Sequence, residues 1–118
     1  MSEIITQDDF SYETYNIGKI PKFNDKRCSV ILWYVDWCKF CREFLPQWEK
    51  LSELMPSINS YRIDCTKNKD LCNIMKHFGV VKSFPTITFY KNGKFVKKFL
   101  GERKDSILIE EYMNICNI

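Results

Sequence analysis

Several features that would define a function class are missing from this sequence of 118 residues. No apolar run approaches the roughly 20 residues that a membrane-spanning helix needs. The net charge of +3 comes from 18 basic and 15 acidic residues that are interspersed along the chain. Such a small, scattered excess does not indicate nucleic-acid binding. We therefore expect neither a membrane nor a nucleic acid as a partner.

Targeting signals are also missing from both ends of the sequence. The residues after Met1 lack the basic stretch and apolar core of a secretory signal, and the last residues do not form a retention signal. The expected location is therefore cytoplasmic or virus-associated. Six cysteines are a high count for this length, yet a disulfide framework ordinarily accompanies secretion. Redox or metal chemistry is thus the first function class to consider.

Length and patterning predict one domain over residues 1–118, with strands and helices in alternation. Predicted strands cover 4–5, 29–35, 60–64, 86–90 and 94–99; predicted helices start near Thr6 and Cys41 and cover 69–78 and 105–115. Asn92-Gly93 marks a hairpin between the last two strands. This order predicts an α/β fold with a central mixed sheet and helices on both faces.

The motif that carries chemistry is Trp37-Cys38-Lys39-Phe40-Cys41, at the junction of a strand and a helix. A cysteine at a helix start lies near unpaired backbone N–H groups and the positive end of the helix dipole, which favours its thiolate. The thiolate is the attacking form in disulfide exchange. Cys38 is therefore the candidate nucleophile, and Cys41 is the candidate resolving thiol. A lone CxxC also begins many zinc sites, so the motif alone supports metal binding equally.

The surroundings of this motif resemble the thioredoxin superfamily over essentially the whole chain. Five matches occur in the family's order: the strand and Trp-Cys entry at 30–38, Pro46 in the following helix, Phe84-Pro85-Thr86, the turn at 91–94, and Gly101-Glu102-Arg103. The resemblance implies a thioredoxin fold with a cis bond before Pro85, where the backbone of Phe84 faces an extended peptide. It assigns support of the active site and the substrate groove to Trp37, Lys39, Phe40, Phe84, Pro85 and Thr86.

Other segments are similar to the protein disulfide isomerase branch of that superfamily. Asp64-Cys65-Thr66 and Leu71-Cys72 resemble segments that precede the cis-proline there. Two departures also stand out. Leu32 occupies the position of the family's buried acid, and Ser60 that of its partner lysine. This leaves water or Asp36 to transfer the proton of the resolving thiol.

The function that the resemblance implies is thiol–disulfide exchange with protein cysteines. Its partners would be protein thiol or disulfide substrates and an unidentified reductase or oxidase, without a cofactor, and the protein would be a monomer. Lys39 adds a positive charge beside Cys38, so we expect a stabilised thiolate and a couple more oxidising than that of thioredoxin. The alternative is a redox-weak module that binds peptides, which the residues at positions 32 and 60 motivate.

The remaining four cysteines leave several interpretations open. Cys65 and Cys72 could be buried thiols, a second disulfide, or zinc ligands together with Cys38 and Cys41. Zinc is disfavoured because four ligands must converge where the resemblance places a substrate groove, so no metal is expected. Cys28 and Cys116 are interpreted as structural bystanders, with Cys116 able to cross-link a dimer.

Overall fold

A five-stranded mixed sheet lies at the centre of the computed structural model, which describes residues 2–12 and 18–118. The strands are β1 (Glu3–Ile4), β2 (Phe10–Ser11), β3 (Lys22–Phe23), β4 (Ser29–Tyr34), β5 (Ser60–Asp64), β6 (Thr86–Lys91) and β7 (Lys94–Lys98). The helices are α1 (Lys39–Leu54), α2 (Lys69–His77) and α3 (Asp105–Cys116). No helix among the described residues is long and apolar enough to cross a membrane.

The strand order β1-β5-β4-β6-β7 gives the sheet its mixed character. Strands β1, β5 and β4 pair in parallel, and β6 and β7 add to them in antiparallel pairings. Strand β4 lies in the middle, where Ile31, Leu32 and Trp33 are almost fully buried. This placement explains its continuous apolar run, because a central strand is covered on both faces.

The two faces of the sheet carry separate apolar layers, as the predicted α/β fold requires. On one face, Trp48 of α1 and Leu108 of α3 pack with Leu32. On the other face, Met75 of α2 packs with Trp33, whose indole donates to Thr88. The sheet therefore has helices on both faces, and the buried ring of Trp48 packs helix α1 against β4.

The predicted first helix is only a three-residue 3₁₀ helix, Gln7–Asp9. Thr6 and Asp9 cap each other's backbone there, as expected from the cap residues, but no apolar stripe continues into a longer helix. The chain instead enters β2, where Phe10 pairs with Phe23 of β3. The sequence pattern did not predict this two-stranded ribbon, because strands of two residues carry no periodicity.

Candidate active site

The cysteine pair lies where β4 gives way to α1. Cys38 is the N-cap of α1, and its Sγ accepts a hydrogen bond from the backbone N–H of Cys41 at 3.4 Å. The first N–H groups of a helix have no partner within the helix, so a sulfur at the cap meets donors and the positive end of the dipole. Cys38 is half-buried and Cys41 is buried, and both are free thiols.

The two thiols differ in acidity because they differ in surroundings. Desolvation acts against the Cys38 thiolate, but hydrogen bonds from Cys41 and the backbone N–H of Phe40, together with the charge of Arg42, lower the pKa of Cys38 below its usual value. Burial, followed by the contact with Cys38, raises the pKa of Cys41 to about 11. The half-buried thiol of Cys38 is therefore the one that ionises first, which is the order that nucleophile and resolving thiol need.

The loop before β6 lies against Cys38 of this pair, since β6 is the direct neighbour of β4 in the sheet. The Phe84–Pro85 bond is cis, which confirms the sequence expectation. Cys38 Sγ lies 3.8 Å from the carbonyl oxygen of Phe84, in contact with this loop. Thr86 donates to the carbonyl of Ser83 at 2.6 Å, so its hydroxyl holds the loop together.

Two large apolar side chains near Cys38 in the sequence are exposed to solvent. Trp37 is 68% exposed and Phe40 is 65% exposed. Exposed apolar groups of this size next to a reactive atom are typical of an interaction surface. Trp33 and Trp48 are fully buried, so Trp37 is the tryptophan available to a partner.

Lys39 is the first residue of α1, and its side chain lies in solvent. Its side chain is 77% exposed and points toward Glu43, with the ammonium 3.9 Å from the carboxylate. The positive charge that helps to lower the pKa of Cys38 is that of Arg42. Stabilisation of the Cys38 thiolate by Lys39 therefore stays a prediction, and Arg42, which is exposed as well, is the second basic residue to test.

The positions of the family's acid–lysine pair are occupied by other contacts. Leu32 is buried in the apolar layer beneath α1. The hydroxyl of Ser60 hydrogen bonds with that of Ser52 on α1 at 2.6 Å. Asp36 is exposed and accepts from the Thr66 hydroxyl at 3.4 Å. The hydrogen bond that the Asp36 carboxylate accepts is therefore from Thr66 and not from Cys41.

Arg103 is a functional candidate that the sequence reasoning did not place in the site. Its guanidinium donates to the carbonyl of Pro85 at 3.2 Å and lies 5.9 Å from the ring centre of Phe44. Its charge acts to lower the pKa of Cys41, although burial outweighs it. The available signal was the Gly101-Glu102-Arg103 motif, which the sequence reasoning used only as a marker of the fold.

The other four cysteines form two disulfides. Cys65 bridges Cys72, which resolves the alternatives left open for that pair and removes both from any thiolate set for zinc. Cys28 bridges Cys116 across 88 residues, a structural link that the sequence did not predict and that leaves Cys116 no free thiol to cross-link a dimer. Tyr112 and Asn59 donate to the carbonyl of Cys28, and these bonds hold the start of β4 beside the end of α3. Within residues 2–12 and 18–118, no cluster of three or more metal-ligating side chains occurs.

A dithiol at the start of a helix, opposite a cis-proline and beside a mixed sheet, defines the class of thioredoxin-fold proteins. The family model named Thioredoxin matches residues 6–114, and the chain belongs to that family. A thioredoxin-like protein of Acanthamoeba polyphaga mimivirus is 31% identical over 101 residues, covering 86% of this chain and 67% of that protein. A putative protein disulfide-isomerase of Schizosaccharomyces pombe is 28% identical over 104 residues, covering 79% of this chain.

A solved structure gives the same result for the fold. Fasciola hepatica thioredoxin superposes with a TM-score of 0.60 and 27% identity, covering 77% of this chain and 83% of that one. This chain corresponds to only 20% of the length of the yeast isomerase. The relatives thus identify a thioredoxin-fold domain near the protein disulfide isomerase branch.

Proposed function

We propose that this protein is a thiol–disulfide oxidoreductase that exchanges disulfides with protein cysteines. Cys38 is the nucleophile and Cys41 is the resolving thiol. The observation that carries the proposal is the cap geometry: the Cys38 sulfur lies at the start of α1, accepts the Cys41 N–H and contacts the Phe84 carbonyl. The separation of the two pKa values supports the same assignment of roles.

The reaction needs only sulfur chemistry. The Cys38 thiolate attacks one sulfur of a substrate disulfide, and the other substrate sulfur leaves as a thiolate that takes up a proton. The Cys41 thiol then loses its proton and attacks Cys38 in the mixed disulfide, which releases the second substrate thiolate. The second substrate thiolate also takes up a proton. Counted from the protein dithiol, Cys38 releases one proton when it ionises and Cys41 releases the other, so two electrons and two protons pass to the substrate as its disulfide becomes two thiols. A reductase or oxidase of unknown identity would restore the starting state, and no further cofactor is proposed.

Trapping the intermediate tests this assignment directly. Cys41→Ser should accumulate a mixed disulfide between Cys38 and a disulfide-bonded substrate such as insulin, because attack proceeds and resolution does not. Peptide mass mapping of the adduct identifies the linked cysteine. Cys38→Ser is the matched control, since it retains a thiol at position 41 and should form no adduct. An adduct on Cys41, or equal adducts in both variants, would contradict the proposed order.

A redox-weak binding module is the second candidate. Leu32 and the Ser60–Ser52 hydrogen bond favour it, because the carboxylate that could accept the Cys41 proton is replaced by an apolar side chain. Reduction of insulin by dithiothreitol separates the two functions. Acceleration by the protein supports the oxidoreductase, and no acceleration, with peptide binding retained, favours the binding module.

We propose an oxidising setting, such as a virion, for the location. The cytosol keeps most protein thiols reduced, whereas virion surfaces preserve disulfides. Both disulfides and the likeness to the mimivirus protein support this half of the sequence expectation. Mass mapping of the cysteines in protein isolated without reductant, with free thiols alkylated first, tests it: reduced Cys28 and Cys116 would favour the cytoplasm.

A further inference from the structure

A groove of about 350 Å³ runs from the active site to α2. Trp37 and Phe84 form its end nearest the nucleophile, since one precedes Cys38 in the chain and the other contacts its sulfur. Val81 and the Cys65–Cys72 disulfide line its inner surface. The groove is therefore continuous with the place where a substrate cysteine would react.

Three lysines surround the outer part of this groove. Lys69 and Lys76 come from α2, and Lys82 comes from the loop that leads to Phe84. Residues seven apart on a helix lie on one face, so both helical lysines face the same side of α2. All three are exposed, and none forms an ion pair within the described part of the chain.

Asp36 and Asp70 adjoin groove residues, and neither forms an ion pair with these lysines. Asp36 accepts from Thr66 at the groove edge, and the charge of Asp70 acts on Tyr12 of the N-terminal segment. Lys97 of β7, by contrast, forms an ion pair with Glu111 of α3. Within residues 2–12 and 18–118, the three groove lysines thus form a positively charged surface in which no lysine has an ion-pair partner.

We propose that this groove selects protein substrates that carry Asp or Glu next to the reacting cysteine. This inference rests on the proposed function, since it names the substrate class of the same site. The distance between Lys69 and Lys76 along α2 is about 10 Å, because a helix rises about 1.5 Å per residue. An extended peptide advances about 3.3 Å per residue, so the groove accommodates about three residues. An acidic stretch of about that length beside the cysteine would place carboxylates near all three lysines.

The binding experiment uses two fluorescein-labelled peptides that contain serine in place of the reacting cysteine. One carries Glu-Glu-Glu on each side of the serine, and the other carries Gln-Gln-Gln. Binding is measured by fluorescence anisotropy at low salt, with wild-type protein in which Cys38 and Cys41 are thiols and the Cys65–Cys72 disulfide is intact. We expect the Glu peptide to bind about tenfold more tightly than the Gln peptide, since exposed ion pairs each contribute a few-fold at most. Salt at 0.5 M should reduce the preference, because screening is then strong at short range.

Variants separate the groove from the overall charge. Lys69→Gln/Lys76→Gln/Lys82→Gln should remove most of the preference, whereas the control Lys26→Gln/Lys50→Gln/Lys94→Gln should keep it. The control loses the same three charges from exposed positions outside the groove. Thermal unfolding of each variant verifies that both remain folded.

The outcomes also separate this inference from the proposed function. Because the peptides contain no thiol, a Glu preference that depends on the groove lysines supports the inference even where insulin is not reduced. Equal binding of the two peptides overturns it, even where insulin reduction is rapid. Equal loss of preference in both variants overturns it in favour of net charge, and tighter binding of an oligothymidylate in the same assay overturns it in favour of nucleic acid.

Discussion

Two cysteine pairs of this molecule are close in sequence, and they differ in redox state. Cys38 and Cys41 at α1 are free thiols, whereas Cys65 and Cys72 at α2 form a disulfide. Each pair lies at the junction of a sheet strand and a helix, after β4 in one case and β5 in the other. Cys38 is half-buried at a helix cap with hydrogen-bond donors, whereas Cys65 and Cys72 are only 5% and 8% exposed and are bonded to each other. Placement at a helix cap, together with the CxxC spacing, thus distinguishes the candidate redox pair from the structural link.

The largest expected difference is between a variant that lacks Cys38 and a variant that lacks the Cys65–Cys72 disulfide. Cys38→Ser should lower the rate of insulin reduction at least about 10³-fold, because it removes the attacking sulfur. Cys65→Ala/Cys72→Ala should keep most of the rate, because that disulfide does not take part in the exchange. Initial rates of insulin reduction at equal concentrations of folded protein decide the point. A comparable loss in both variants would show that the second pair takes part in electron transfer.

The two disulfides should differ in how much they stabilise the fold. In the chain-entropy description, stabilisation grows with the length of the closed loop. Cys28→Ala/Cys116→Ala, which opens a link across 88 residues, should lower the free energy of unfolding by about 4.5 kcal/mol. Cys65→Ala/Cys72→Ala, which opens a link across 7 residues, should lower it by about 2.5 kcal/mol. Urea unfolding measures both, and the reverse order would contradict the entropic explanation.

The pH dependence should separate the two thiols of the active pair. The lowered pKa of Cys38 means that attack gains thiolate at a lower pH than an ordinary cysteine would. The pKa of Cys41, raised to about 11, means that its thiolate fraction still rises about tenfold per pH unit between pH 7 and 9. Rapid-quench rates of mixed-disulfide formation and of its resolution by Cys41 should therefore show a steeper profile for resolution. Parallel profiles would indicate a proton acceptor at Cys41.

The smallest expected effect concerns the two basic residues beside the nucleophile. Arg42→Gln should raise the pKa of Cys38, because it removes a positive charge that favours the thiolate. Lys39→Gln should raise it less, because the Lys39 ammonium is exposed and shared with Glu43. Thiolate absorbance at 240 nm as a function of pH gives both values, with Cys41→Ser as the common background. A larger shift in the Cys38 pKa for Lys39→Gln than for Arg42→Gln would show that Lys39 is the main charge that stabilises the thiolate.

The sequence predicted much of this architecture because its local patterns were strong. Strand Ser60–Asp64 occurs with the predicted bounds, and α1 begins at Lys39, two residues before the predicted Cys41. The N-terminal ribbon was missed because its strands contain two residues each.

The candidate site was predictable only in part. The CxxC motif and the Phe84–Pro85 segment identified its centre, since both are continuous in sequence. The Cys28–Cys116 disulfide and the approach of Arg103 to Cys41 depend on how distant segments pack, and no local pattern reports such contacts. The ion pair of Lys39 with Glu43 was likewise not predicted, because the two side chains become neighbours only in the folded helix.

An equilibrium redox titration in glutathione buffers tests the central claim most directly. The thiols are trapped by alkylation at each potential, and all six cysteines are followed by mass. We predict a single two-electron transition of Cys38 and Cys41, more oxidising than the roughly −270 mV of thioredoxin, while the two other pairs remain disulfides. A transition confined to Cys65 and Cys72, or no transition of Cys38 and Cys41, would contradict the assignment of the redox site.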